Sequence, residues 1–332
     1  MRALVTDSRS SRWTVVELPA PGIGPHDVLV EVAAAGLNHA DLLMRQGRYV
    51  PTGADWNVPA DRVGFEMAGR VRAIGSRVTG FAPGQFVMAQ TGGACAELVA
   101  VDHRLLLPVP ETVDPTDAAG LPSALLTEYD ALTASARIRP ADRVLITGAT
   151  SGVGLVGVQL ARALGAGAVI ATTRSAAKVA LLRSLGADRV VDTSAEGIAD
   201  ALGPDAYDIC LDHVGGARFG ELMGAAAPSA RIVQIGRLAG DHARIDLELL
   251  AARRLRLIGT TFRGRDAGEL HALVAHLRTA LPRLLGGHHV RTVVDSVFDL
   301  TAAEDAAKRL TEPGLSGKVV LRIARSREPA RR

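Results

Sequence analysis

The sequence predicts an α/β protein: a doubly wound parallel sheet in the second half of the chain, preceded by a β-rich unit. Three observations lead there. Residues 144–165, VLITGATSGVGLVGVQLARALG, run from an apolar strand (Val144 to Thr147) through a glycine-rich turn into a long amphipathic helix. Downstream, strand-like runs at Ala168–Thr173, Arg189–Asp192, Tyr207–Asp212, Arg231–Gly236 and Leu255–Phe262 alternate with helical stretches, the rhythm of strand–helix–strand units in a parallel sheet. Before about residue 121, short strands (LVTD, WTVVEL, DVLVEVAAAGL, AGRVRAIG, QFVMAQ, AELVAV) are separated by glycine and proline clusters, as in a compact β-rich unit.

The turn carries the first chemical signal. A strand, a glycine-rich turn and a helix in that order have the shape of a dinucleotide pyrophosphate site, the alternative being a glycine turn that merely joins strand to helix. Gly152 and Gly154 lack a Cβ, which lets the backbone turn tightly, admits a pyrophosphate and packs helix on strand. The helix N-terminus adds unpaired N–H groups and a positive dipole end. Val153, Val156, Leu160, Ala161 and Leu164 recur at three- and four-residue spacing, which predicts one buried face. Six strands make a complete dinucleotide fold. With no repeat or long linker, the two units are expected to pack closely, with the chemistry in a cleft between them.

Composition excludes several classes. The chain has 332 residues, 48% hydrophobic and 3% aromatic, enough for two domains and a large core built of alanine, valine and leucine. The 38 Lys+Arg and 35 Asp+Glu are interspersed and leave a net charge of +3, with no basic stripe for nucleic acid. The terminal RIARSREPARR reads as a solvated tail. No apolar leader or membrane-spanning run is found, so a soluble, cytoplasmic protein is expected. Two cysteines, Cys95 and Cys210, are too few for a disulfide framework or a four-thiolate zinc site, and both read as packing residues.

TGATSGVG also fits the turn of short-chain dehydrogenases, which catalyse with a tyrosine four residues before a lysine. Here Tyr49, Tyr129 and Tyr207 are followed at the fourth position by Gly53, Thr133 and Leu211, and the turn falls mid-chain. That reading fails. The segments GLNHADLLMRQGRY (36–49), GFEMAG (64–69), VTGFAPGQFVMA (78–89), LPSALLTEYDAL (121–132) and the closing SGKVVL instead resemble the medium-chain dehydrogenase/reductase superfamily. Within it they are similar to the zinc-independent quinone oxidoreductases, most of all the p53-inducible type. The resemblance spans nearly the whole chain. It implies a Rossmann domain over residues 122–266 and a GroES-like catalytic domain formed by residues 1–121 and 267–332.

Zinc-dependent members of the superfamily place a cysteine where Asn38 stands, a histidine where Phe65 stands, and a second cysteine near Leu121–Thr127. Asparagine and phenylalanine cannot replace thiolate and imidazole, and His39 with Glu66 falls short of a site, so no metal is expected. At the end of the second Rossmann strand, AVIATTRSAAK offers no carboxylate to a ribose 2′-hydroxyl. Thr173 and Ser175 can hydrogen-bond a 2′-phosphate, while Arg174 and Lys178, four apart on a helix start, can supply charge. The cofactor expected is therefore NADPH, although relatives often hold the 2′-phosphate with a tyrosine where this chain has Thr193. The resemblance implies further cofactor contacts at Thr127, Ser151, Gly152, Val153, Gly154, His213, Gly236, Thr261, Phe262 and Arg263. His213 reads equally as a satisfied structural residue.

The same resemblance puts Asn38 and Tyr49 in the cleft as candidate catalytic residues. Asn38 would hold the nicotinamide ribose or a substrate oxygen, and Tyr49 would donate a hydrogen bond or proton to a carbonyl, or else line the pocket. Asp41 reads as a capping residue, and Leu43 replaces a second tyrosine seen in some relatives. The expected activity is NADPH-dependent reduction of a quinone or α,β-unsaturated carbonyl. The alternatives are an enoyl-thioester reductase of polyketide or fatty-acid metabolism and a crystallin-like NADPH-binding protein without turnover. A homodimer through the edge strand LRLIGTTF is expected by analogy.

Overall fold

The computed structural model describes residues 1–7, 10–49, 61–287 and 289–323. The basic tail lies outside these residues except for Arg322 and Ile323. The chain divides into two compact units, one formed by Met1–Ser123, Phe262–Pro282 and Thr292–Arg332, the other by Ala124–Thr261 and Arg283–Arg291.

In chain order the described elements begin with β1 (Arg2–Asp7), β2 (Arg12–Glu17), β3 (Asp27–Leu37), α1 (His39–Arg45), β4 (Glu66–Ile74), β5 (Phe86–Gln90), β6 (Leu98–Asp102), β7 (Leu107–Pro108) and α2 (Pro115–Ala119). Then come α3 (Pro122–Asp130), β8 (Arg143–Ile146), α4 (Gly152–Ala163), β9 (Ala168–Thr173), α5 (Val179–Ser184), β10 (Arg189–Asp192), α6 (Ile198–Leu202), β11 (Tyr207–Asp212), α7 (Phe219–Ala225), β12 (Ala226–Gln234), α8 (Leu247–Ala252) and β13 (Arg256–Gly259). The last are α9 (Ala267–Gly286), β14 (Val294–Asp299), α10 (Ala303–Arg309) and β15 (Lys318–Arg322).

In the second unit the described strands form a parallel sheet in the order β10-β9-β8-β11-β12-β13. Strand order reverses between β8 and β11, the point where open α/β sheets bind ligands. Val144, Leu145 and Ile146 of β8 and Ile209, Cys210 and Leu211 of β11 are fully buried, which is why these strands read as continuous apolar runs. β12 starts earlier than its sequence suggests: Ala226 pairs with Tyr207, a bulge follows, and Ser229 takes a positive φ of 65°. It also stops earlier, because the N–H groups of Ile235 and Gly236 both turn to the Asp212 carbonyl.

α4 departs from the expected single buried face. Every residue from Gly154 to Ala161 is buried, whereas Val153 and Leu164 are only half-buried. Small residues on the far side let α3 approach: a Cβ on Gly157 would stand 2.8 Å from the Glu128 carboxylate.

In the first unit the described strands build a mostly antiparallel sheet ordered β14-β15-β3-β4-β5-β7, with β6 also on β3, while β1 and β2 form a separate hairpin. Val319 of β15 lies opposite Leu37 of β3, and Gly36 lies opposite Glu66 of β4. This register gathers Asn38, Glu66 and Lys318 at one end of three neighbouring strands. Cys95 and Cys210 are both fully buried, and burial pushes both thiols up, away from reactive thiolates. Among the described residues, no helix is long and apolar enough to cross a membrane.

Candidate cofactor site and active site

The glycine-rich turn closes β8 onto α4. Gly148 makes the reversal with φ +57° and donates its N–H to Thr172 Oγ1. The tight turn thus falls on Gly148 rather than on Gly152 and Gly154, which open the helix. Gly154 serves close approach, since a Cβ there would lie 2.8 Å from the Gly148 carbonyl oxygen. Ser151 is the N-cap, its hydroxyl accepting the Gly154 N–H at 3.0 Å. This satisfies one of the orphan donors and leaves others of the first turn for an anion.

At the end of β9, Thr173 is buried, and its hydroxyl accepts the Ser175 N–H at 3.1 Å. Arg174 is exposed, while Ser175 and Lys178 are half-buried. Arg174 and Lys178 do not share a regular helix: Arg174 precedes a single 3-10 turn, Ala176–Lys178, before α5 begins. The Ser175 side chain does not cap that turn. Thr193 directs its hydroxyl to the Thr173 carbonyl at 3.1 Å. Residues 172–178 hold two basic side chains, Arg174 and Lys178, and no carboxylate.

His213 ends β11 and is buried. Its Nδ1 donates to the Thr147 carbonyl at 2.9 Å, and its Nε2 meets the carboxylate of the fully buried Glu128. Both ring nitrogens are engaged inside the unit. Burial acts against the charged ring, yet the Glu128 carboxylate outweighs it and holds the imidazole above its ordinary value. The second Glu128 oxygen, Oε2, is buried without a hydrogen-bond partner among the described residues. Gly236 lies against His213, where a Cβ would stand 2.3 Å from the histidine carbonyl oxygen. Thr147 donates to Asp212 at 2.6 Å, which ties the switch-point strands together. Thr127, on α3, is half-buried.

In the first unit Asn38 is the N-cap residue of α1. Asp41, at the third helical position, accepts the Asn38 N–H at 2.7 Å and the Gly64 N–H at 3.0 Å. Burial pushes the Asp41 carboxyl up to about 7, against these backbone bonds and with the Glu66 charge adding to the rise. The Asn38 amide donates from Nδ2 to Glu66 Oε1 at 2.8 Å, and its Oδ1 accepts from Lys318 Nζ at 2.6 Å. Lys318 and Glu66 are themselves an ion pair, 3% and 0% exposed. Glu66 Oε2 accepts the Ser123 N–H at 2.8 Å. Gly36 makes room for this carboxylate, because a Cβ there would be 2.6 Å from Glu66 Oε1.

Tyr49 is half-buried and packs edge-on against Phe65, with centroids 5.6 Å apart. The Arg263 guanidinium lies 5.0 Å from its ring centre, and Arg265 stands over Phe262 at 4.9 Å. Tyr49 thus meets Phe65, while Asn38 meets the next residue, Glu66. Thr261 ends the first segment of the second unit and is exposed. Sequence reasoning missed the partners Glu128 and Lys318.

Comparison with known proteins agrees with this architecture. A family described as "Zinc-binding dehydrogenase" matches residues 152–279, and one described as "Alcohol dehydrogenase GroES-like domain" matches residues 24–111. The quinone oxidoreductase of Thermus thermophilus, solved also in complex with NADPH, is 33% identical with a TM-score of 0.80, covering 97% of this chain and 100% of that one. An NAD-dependent alcohol dehydrogenase structure is 29% identical with a TM-score of 0.85, covering 98% of this chain and 100% of that one. Erythronolide synthase EryA2 of Saccharopolyspora erythraea is 32% identical over 89% of this chain, which spans only 8% of that relative. The Rossmann-type sheet with its glycine-rich turn, the GroES-like unit and these matches together assign the chain to the medium-chain dehydrogenase/reductase superfamily of oxidoreductases, quinone oxidoreductase type.

Proposed function

We propose that the protein is an NADPH-dependent, zinc-independent reductase of quinones or α,β-unsaturated carbonyls. The observation that carries the reading is the Ser151-capped, glycine-lined start of α4 at the switch point, combined with a β9 end bearing Arg174 and Lys178 and no carboxylate. Pyrophosphate would be held by the first-turn N–H groups from Ser151 to Gly154, and a 2′-phosphate by Thr173, Arg174, Ser175 and Lys178. Thr127, Gly236, Thr261, Phe262, Arg263 and the backbone of His213 would complete the cofactor contacts.

Reduced nicotinamide supplies the hydride. Asn38 would donate from its amide to the enolate or quinol oxygen that develops as the conjugated carbon is reduced. Tyr49 would deliver the balancing proton or order the water that does, its face held by Arg263. Zinc independence is supported by the donor set: Asn38 and Phe65 are not ligands for zinc, and Glu66 is already paired with Lys318. The likeness to a polyketide synthase supports a second substrate class, enoyl thioesters, reduced by the same hydride addition. A cytoplasmic homodimer is part of the proposal.

Purified protein is expected to oxidise NADPH faster than NADH with at least one acceptor among 1,4-benzoquinone, 9,10-phenanthrenequinone, simple enones and a crotonyl thioester. The double variant Arg174→Ala/Lys178→Ala is expected to weaken NADPH binding by about tenfold or more, as loss of charge-assisted phosphate contacts implies, and to leave NADH binding nearly unchanged. Tight NADPH binding without hydride transfer to any acceptor would select a non-catalytic role.

A further inference from the structure

We propose that Lys318 is a positioning residue for this reduction: its buried ammonium, paired with Glu66, fixes and polarises the Asn38 amide that meets the developing oxyanion. The inference rests on the reductase reading above and adds to it a residue from the far end of the chain.

The geometry leaves the Asn38 amide one orientation. Oδ1 faces the Lys318 ammonium at 2.6 Å and Nδ2 faces the Glu66 carboxylate at 2.8 Å. Rotating the amide by half a turn would set NH2 against NH3⁺ and C=O against COO⁻, two repulsions in place of two attractions. Water cannot soften that choice, because Lys318 and Glu66 are 3% and 0% exposed. The arrangement is built into the sheet, since Asn38 follows β3, Glu66 opens β4 and Lys318 opens β15, with β3 lying between the other two. Even the backbone accommodates it: Gly36 leaves space for the Glu66 carboxylate, and a Cβ on Gly120 would press on the Lys318 stem at 3.2 Å.

Fixing the orientation has a chemical consequence. An asparagine amide has two N–H hydrogens, and one of them is committed to Glu66. The half-buried Asn38 therefore offers its remaining N–H as the donor to an incoming oxygen. A cation on the amide oxygen draws electron density from nitrogen and makes that N–H a stronger donor. The Lys318–Glu66 pair supplies this polarisation with no net charge, which avoids the cost of an isolated buried ion. A pair that served only to close the sheet would have no need to grip a side-chain amide at both ends.

Four proteins test the proposal: wild type, Lys318→Met, Asn38→Ala and the double variant. Lys318→Met is expected to lower kcat about tenfold to a hundredfold, in the range of lost supporting and oxyanion contacts, with KM for the acceptor and the Kd of NADPH little changed. If Lys318 acts through Asn38, the double variant is no slower than Asn38→Ala alone. Multiplying losses, or an unchanged kcat in Lys318→Met, overturns the proposal. A readout free of turnover is the side-chain amide ¹⁵N–¹H signal of Asn38, assigned by its loss in Asn38→Ala. It should move toward free asparagine in Lys318→Met, and an unmoved signal also overturns the proposal. If Lys318→Met fails to fold because Glu66 is left unpaired, Lys318→Met/Glu66→Gln removes both charges, and the same two outcomes are read from it. An active wild type with an insensitive Lys318→Met removes this assignment alone; a wild type inert toward every acceptor removes the reductase reading and this assignment with it.

Discussion

Glu128 and His213 show what a single buried contact contributes in this protein. With Nδ1 donating to the Thr147 carbonyl, Nε2 and the Glu128 carboxylate must share a proton. The folded chain therefore keeps a proton on His213 at pH values where the unfolded chain has released it. Stability from a raised histidine is complete below the ordinary histidine value and is lost as pH climbs through the folded value. Glu128→Gln should accordingly cost about 1–3 kcal/mol, as for a buried partner left unsatisfied, with the drop in Tm largest below the ordinary histidine value and shrinking as pH rises above it. Equal losses on both sides of that value in calorimetric scans would refute the shared proton. His213 was legible in sequence because it ends an apolar strand. Glu128 was not, because LPSALLTEYDAL gives no sign of which carboxylate points inward. Lys318 and Glu66 both stand in recognisable segments, yet they are 252 residues apart, and only the strand register joins them.

Strands whose apolar runs end abruptly in polar residues were read with their true bounds, as β3, β9, β10 and β11 show. β12 was not, since Pro228 and Ser229 look like a turn and in fact form a bulge within a strand. α4 was read as amphipathic because its large side chains follow a helical spacing. Its small residues are buried too, against α3, and no spacing rule marks a glycine that is buried for contact. Gly154 is the position where this matters most. In Gly154→Ala the new methyl would meet backbone atoms of Gly148 and Ala149 at 2.8 Å, neither of which can rotate away. Overpacking of this kind costs about 1–3 kcal/mol, and moving the helix start should weaken NADPH binding by about tenfold or more. Calorimetry and cofactor titration of the variant would check both effects; normal affinity would mean that the turn does not hold the pyrophosphate.

The described sheet of the second unit ends at β13, whose outer edge has no strand beside it among the described residues. Edge strands of soluble proteins are commonly covered, charged or paired with a second copy. β13 carries Arg256, but Leu257 is 37% exposed. Apolar exposure of this kind beside an open edge favours pairing over solvation, and a two-fold axis at the edge would satisfy both copies at once. The proposed homodimer then has a definite size and a definite weak point. Sedimentation equilibrium should give twice the chain mass of 34.6 kDa. Leu257→Arg/Gly259→Pro, which adds charge and removes a donor on the side of β13 away from β12, should shift the species to a monomer. β13 also pairs with β12 on its other side, so the variant needs a check that the unit still folds, and NADPH affinity serves as that check. A wild-type monomer at micromolar concentration, or a variant that stays dimeric, would move the interface elsewhere or remove it, while the cofactor turn and the Asn38 network, each built within one unit, would stand unaltered.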